Sequence, residues 1–322
     1  MGKVSILVPV YGVEKYIGKC AESLFSQTFQ DIEYIFVNDC TPDHSIDLLQ
    51  EILMRYPERK EQVKIIHHKC NMGLGAARQT ALEKATGEYI MIVDSDDYIA
   101  VDAVEVLCRQ IEKTGADVID GAFVEFSDES ISAPFLPKGY SATTYLKLLL
   151  CHNIVFNMVW GRIFRRSLIV ENNLSFPQGI DYSEDFSFLS RFMFHAKTRL
   201  CIDNVVYYYR RDNVNSYTRQ ISERSQKSNL LSYSLVYKYI NERDANGTYY
   251  HALNMSMLQA QRSAREYKMP MKILYEKSNY SPNHWLYRIM KCCFDSRVPL
   301  PLCRFLQKII RTIYAWWVIK FS

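Results

Sequence analysis

Short apolar runs alternate with helical patterns through the first third of the chain. Val4–Val10, Glu33–Val37, Val63–His67 and Glu88–Val93 each read as a strand. Between and after them, the stretches from about Val13 to Ser26, His44–Tyr56, Leu74–Ala85 and Val101–Lys113 carry helical spacing, and Asp117–Ile119 resumes the sheet. Strands separated by helices of this length mean βαβ units, so the pattern predicts a Rossmann-like α/β fold with a mostly parallel sheet flanked by helices. Tyr89–Val93 lacks polar alternation, as expected of a strand buried on both faces. From about residue 125 the rhythm breaks. Ser127–Gly139 reads as a loop, Thr143–His152 as a helix, and residues 155–219 as mixed aromatic strands, helices and loops. Long helical patterns follow at Glu223–Asn241, Tyr249–Tyr267 and from roughly Leu302. The expected organisation is a domain over 1–220, with halves 1–124 and 125–220, and a helical C-terminal region over 221–322 closing on an amphipathic helix at 300–320.

Composition changes this picture little. With 322 residues, 48% hydrophobic and 23% charged, the chain has ordinary globular proportions. Nine scattered cysteines include no C-x-x-C pair and no His/Cys cluster of zinc spacing, which points to reduced thiols and a cytoplasmic setting. Val4–Val10 is too short for a signal peptide. The net charge of +4 is uneven: residues 288–322 hold +6, leaving −2 on the remainder. A mildly acidic body argues against nucleic acid as a partner.

Chemistry concentrates where strands end. Glu88–Val93 runs into Asp94-Ser95-Asp96-Asp97, three carboxylates within four residues. In open α/β sheets ligands bind at the carboxyl ends of strands. Clustered acids there repel one another, and a divalent cation relieves the repulsion. An oxygen-rich site with few protein ligands suits Mg²⁺ or Mn²⁺. The alternative is a solvated acidic turn capping the next helix. Three other strand ends converge on the same edge: Pro9-Val10-Tyr11, Asn38-Asp39-Cys40-Thr41-Pro42-Asp43, and a glycine turn opening a helix at Asn71-Met72-Gly73-Leu74-Gly75-Ala76-Ala77-Arg78. Gly73-x-Gly75 also invites a dinucleotide-binding reading, but Arg78 replaces the third small residue and the motif follows the third strand. His67 and His68 are adjacent on a strand and so point to opposite faces, as ordinary strand-end histidines do.

This assembly resembles the family 2 glycosyltransferases of the GT-A fold over about residues 3–220, through S-I-L-V-P-V-Y, V-N-D-C-T-P-D, N-M-G-L-G-A-A-R and G-E-Y-I-M-I-V-D-S-D-D. The resemblance implies an inverting, metal-dependent enzyme moving a sugar from a nucleotide-diphosphate donor, a UDP-sugar, to a hydroxyl of a polysaccharide or lipid-linked glycan. Residues 1–124 would form the nucleotide-sugar half and 125–220 the acceptor half. Pro9 and Tyr11 would line the base pocket and Asp39 would hydrogen-bond the base. Arg78, Asp94 and Ser95 would face the nucleotide, with Asp96 at the Mn²⁺ or Mg²⁺ ion. Asn38 replaces the first acid of the usual pair and Cys40 a glycine. In Tyr182-Ser183-Glu184-Asp185-Phe186, Asp185 would be the general base and Glu184 its orienting or acceptor-binding neighbour; the same pair can instead be a helix cap. Val159-Trp160-Gly161-Arg162 resembles the acceptor-side segment, so Trp160 is either a sugar platform or plain core. Tyr207–Arg211 with Asn215–Thr218 resembles a loop closing over the diphosphate, placing Arg210 at a phosphate, or else a basic surface strand. A non-catalytic nucleotide-sugar or glycan-binding protein on the same scaffold is the alternative function.

Near the C-terminus, Leu302, Phe305, Leu306, Ile309, Ile313, Trp316 and Trp317 fall on one helical stripe, opposite Arg304, Gln307, Lys308, Arg311 and Thr312. The longest apolar stretch, Ile313–Ile319, is far below the roughly 20 residues a span requires. The pattern fits peripheral contact with an anionic membrane, at the inner face of the cell membrane. The competing reading packs the stripe on the body.

Overall fold

In a computed structural model, residues 2–151, 154–213, 222–295 and 298–321 are described. The strands are β1 (Val4–Val10), β2 (Ile32–Asn38), β3 (Val63–His67), β4 (Tyr89–Ile92), β5 (Tyr98–Ile99), β6 (Val118–Phe126), β7 (Arg162–Arg165) and β8 (Arg199–Arg210). The helices are α1 (Ile17–Phe25), α2 (Ser45–Leu53), α3 (Leu74–Lys84), α4 (Ala103–Thr114), α5 (Ala142–Leu150), α6 (Arg166–Glu171), α7 (Glu184–His195), α8 (Glu223–Asn241), α9 (Tyr250–Glu266), α10 (Lys272–Ser278), α11 (Trp285–Asp295) and α12 (Leu300–Phe321). They fall into two compact units interleaved along the chain. The first comprises Met1–Ser141, Met158–Gly179 and Ala196–Arg219; the second Ala142–Asn157, Ile180–His195 and Gln220–Ser322.

The first unit is built on an eight-stranded sheet of order β3-β2-β1-β4-β7-β6-β8-β5. Every residue of β1 and of β4 is buried, which is why neither shows polar alternation. Parallel pairing joins β1 to β2 and β4, β2 to β3, and β6 to β8. The sheet is mixed beyond that: β7 lies antiparallel between β4 and β6, and β5 pairs antiparallel with β8. The segment that resumes the sheet after α4 is therefore separated from β4 by a strand formed some forty residues later in the sequence.

Two features hold this sheet in register. Glu33 on β2 is 2% exposed. Its Oε1 accepts from Ser5 Oγ, from Thr86 N and Oγ1 and from Gly87 N, and Lys64 Nζ donates to Oε2 at 3.1 Å. Burial alone would raise its pKa, but these donors win and lower it to about 2. At the register shift between β6 and β8 a Cβ on Gly121 would lie 2.3 Å from Val206 Cγ2, so the strands approach closely only because that residue is glycine.

In the second unit, Met255 and Leu258 of α9 pack with Tyr287 and Met290 of α11 and Cys303 of α12. The nine cysteines are free thiols. No helix among the described residues is long and apolar enough to cross a membrane.

Candidate active site

The carboxyl ends of β1, β2 and β4 and the turn and helix after β3 carry Pro9, Tyr11, Asp39, Arg78, Asp94, Ser95 and Asp96, all within the first unit. Pro9 is buried inside β1, while Tyr11 just beyond it is 49% exposed. Beyond β2, Asp39 is 3% exposed and is held by the glycine turn. Its Oδ1 accepts from Met72 N and its Oδ2 from Gly73 N, both at 2.8 Å. His68 Nδ1 lies 2.7 Å from Oδ1, and His68 Nε2 is 2.9 Å from Thr80 Oγ1 on α3. Gly73 takes φ +95°, a conformation that a side chain would strain, so the turn needs both the glycine and the carboxylate. Cys40 also adopts positive φ (+57°), at the position where the resembling family has glycine.

The acidic turn after β4 is organised by its neighbours on all sides. Arg78 on α3 is 1% exposed and its Nη2 lies 2.7 Å from Asp94 Oδ1. The Asp94 amide donates to Tyr207 Oη of β8 at 3.1 Å. Tyr207 in turn donates to Asp97 Oδ2 at 2.7 Å, and Arg210 N donates to Asp97 Oδ1, also at 2.7 Å. Asp97 is 1% exposed, so it is a buried tie between the turn and β8. Burial and then the charges of Asp96 and Asp94 push its pKa well up. Ser95 is buried, and Asp96 Oδ2 accepts from Asn213 Nδ2 at 2.7 Å. Burial and then Asp94 raise the Asp96 pKa as well. Three carboxyl groups in one turn repel one another when ionised, and a cation placed there would favour their charged forms. Among the described residues, no group of three His, Cys, Asp or Glu side chains could hold a metal ion. A cation here would need substrate and water oxygens, and an oxygen-only donor set of that kind fits Mg²⁺ or Mn²⁺.

The remaining expected residues divide by unit. Trp160 stacks on Tyr207 (4.5 Å between centroids) and Tyr209 (5.2 Å), meets Phe123 edge-on and is 6% exposed. The guanidinium of Arg210 pairs with Asp128 and Asp212, both at 3.0 Å, and lies over the rings of Phe126 and Tyr16. Residues 215–218, expected to continue that loop, lie outside the described residues. Glu184 and Asp185 open α7 in the second unit, Glu184 buried and Asp185 half-buried. Ser183 before them has φ +66° and is held by α8: its Oγ donates to Asn229 Oδ1 at 2.8 Å, and Ser232 Oγ donates to its carbonyl at 2.7 Å. Ser228 grips Tyr182 through both N and O.

Sequence reasoning missed the Asp97–Tyr207 tie and the serine face of α8. The unabsorbed third acid of the motif was the one signal for the first. The run of Ser225, Ser228 and Ser232 on a long helix was the signal for the second.

Comparison with known proteins adds three findings. Residues 5–171 match the family described as Glycosyl transferase family 2. Among curated relatives, two from Bacillus subtilis stand out. The uncharacterized glycosyltransferase EpsJ is 35% identical over 67% of this chain and 62% of its own length, and the putative glycosyltransferase EpsH is 33% identical over 75% and 70%. The chain thus spans less than two thirds of EpsJ. Crystal structures of TarS residues 1–349 from S. aureus share the fold: the complex with UDP has TM-score 0.63 at 19% identity over 98% of this chain and 90% of that one. The complex with UDP-GlcNAc has TM-score 0.62 at 17% identity, with the same coverage.

Proposed function

The chain belongs to glycosyl transferase family 2 and is a glycosyltransferase of GT-A fold, and from that premise we propose that it transfers a sugar with inversion from a UDP-sugar to a hydroxyl of a polysaccharide or lipid-linked glycan. The observation that carries this reading is the Asp94-Ser95-Asp96 turn at the end of β4, fixed by Arg78 on one side and by Tyr207 and Asp97 on the other. The UDP and UDP-GlcNAc bound to TarS support the choice of donor.

In this reading Pro9 and Tyr11 flank the base, and Asp39 meets it from the glycine turn. Asp94, oriented by Arg78, and Ser95 face the ribose and phosphates. Asp96 would hold Mn²⁺ or Mg²⁺ together with the diphosphate oxygens, and that ion would offset charge developing on the leaving group. Arg210 can serve the diphosphate bidentately by exchanging its pairing with Asp128 and Asp212 for phosphate oxygens. Asp185 takes the acceptor hydroxyl proton while the hydroxyl oxygen attacks the anomeric carbon from the face opposite the nucleotide. Glu184 orients that acceptor, and Trp160 shapes the acceptor side through its stack on Tyr207 and Tyr209. α8 fixes the acid pair by gripping Tyr182 and Ser183, so the base is held on a helix end rather than on a free loop.

UDP release from UDP-sugars in the presence of Mn²⁺ tests this. Asp185→Asn should lower turnover by roughly 10²–10⁴, the usual worth of a general base, and leave UDP affinity unchanged. Full turnover in that variant removes Asp185 from the mechanism.

A further inference from the structure

Helix α12 has two apolar faces, and the body covers only one. Cys303, Leu306, Ile310 and Tyr314 pack into the core of the second unit. On the other face Leu302, Phe305, Ile309, Ile313, Trp316 and Trp317 are 41–62% exposed. The sequence stripe grouped Leu306 with these residues; the structure sends it inward and leaves the rest open. Six large apolar side chains along one helix of 22 residues, about 33 Å long, exceed the scattered apolar exposure of an ordinary surface.

The charges on the helix favour one kind of occupant for the open face. Leu300–Phe321 contains Arg304, Lys308, Arg311 and Lys320 and no acidic residue. Arg304 is answered by Glu266 at 2.9 Å, while Lys320 Nζ rests 4.7 Å above the Trp316 ring, extended along an aromatic as a lysine is at an apolar–water boundary. Two copies meeting through this face would bring two such basic helices together and repel. Anionic headgroups would instead pair with the cations while the open face enters the acyl boundary. Since no described helix can cross a bilayer, the helix would lie in its plane.

We propose that α12 binds the surface of an anionic membrane through its Phe305, Ile309, Ile313 and Trp316 face, with its opposite face anchored in the second unit. This goes beyond the glycosyl-transfer reading and does not rest on it. The test is flotation of the full chain with vesicles of phosphatidylglycerol mixed equally with phosphatidylcholine, against phosphatidylcholine alone. The chain should float with the anionic vesicles only, with a blue shift in tryptophan emission. Lys308→Gln with Lys320→Gln should weaken partitioning roughly 30-fold, from the usual worth of a basic residue near such a surface. Trp316→Ala with Trp317→Ala should weaken it more than roughly tenfold. Both double variants alter exposed side chains, so their circular dichroism should match the parent. Equal flotation with and without the substitutions would overturn the proposal, as would no flotation at all or equal binding to neutral vesicles. A dimer by light scattering that the tryptophan substitutions abolish would assign the face to a second copy instead.

Discussion

Removing the Tyr207 hydroxyl should loosen the acidic turn more than its size implies. Tyr207→Phe deletes one of the two donors to the buried Asp97 carboxylate and the acceptor for the Asp94 amide. Burial pushes the Asp97 carboxyl toward its neutral form, so each lost bond is worth about 0.5–1.5 kcal/mol and the loss should total about 1–3 kcal/mol. Asp97→Asn keeps one acceptor oxygen in place of two, so it leaves either the Tyr207 hydroxyl or the Arg210 amide unanswered and should itself cost about 1–3 kcal/mol. The pair can therefore be separated by a double-mutant cycle, in which Tyr207→Phe costs only about 1 kcal/mol when Asn stands at 97. The pH dependence has a definite sign. The folded-state pKa of Asp97 is raised, so its contribution is fully present below the unfolded value near 3.9 and declines as pH rises toward the folded value. Relative to Asp97→Asn, the parent should lose up to about 1.4 kcal/mol per pH unit above pH 4 until that value is reached. Urea titration followed by circular dichroism between pH 4 and 8 measures both effects. A Tyr207→Phe variant within about 0.5 kcal/mol of the parent, or a pH-independent difference between parent and Asp97→Asn, would refute the role of this tie.

Three further substitutions probe the scaffold. Glu33→Gln should destabilise by about 3 kcal/mol at pH 7, and the difference should vanish as pH falls from about 4.5 through about 2, because the depressed pKa stabilises only where the carboxylate is ionised; acid titrations of both proteins check this. Gly121→Ala should cost about 1–3 kcal/mol through the clash with Val206, read as a lowered urea midpoint. Cys40→Gly should raise stability by up to about 1 kcal/mol, since Cys40 is exposed and held at φ +57°; a lower melting temperature would contradict that strain.

The alternation of β1 to β4 with α1 to α3 was legible because each element is local and its period shows within one window. Pairing was not. Arg162–Arg165 is four residues long, and nothing near it marks it as the antiparallel strand that parts β4 from β6. The placement of the strand-end residues at one edge was legible because the βαβ rule alone sends them there. Their partners were hidden by distance along the chain: Tyr207 lies 110 residues from Asp97, and Asn229 lies 46 from Ser183. Trp160 shows the limit of residue type, because a ring that can stack on a sugar can equally stack on Tyr207, and only coordinates show its neighbours. Periodicity also failed to separate the two faces of α12, since Leu306 and Ile310 are as apolar as Ile309 and Ile313.

The donor site is tested most directly by calorimetric titration of UDP, with and without Mn²⁺, into the parent chain and Asp96→Asn. UDP should bind the parent in a Mn²⁺-dependent manner, and the substitution should remove that dependence while leaving the fold intact. Equal Mn²⁺-dependent affinity in both proteins, or no UDP binding to the parent, would contradict the assignment of the nucleotide to the end of β4.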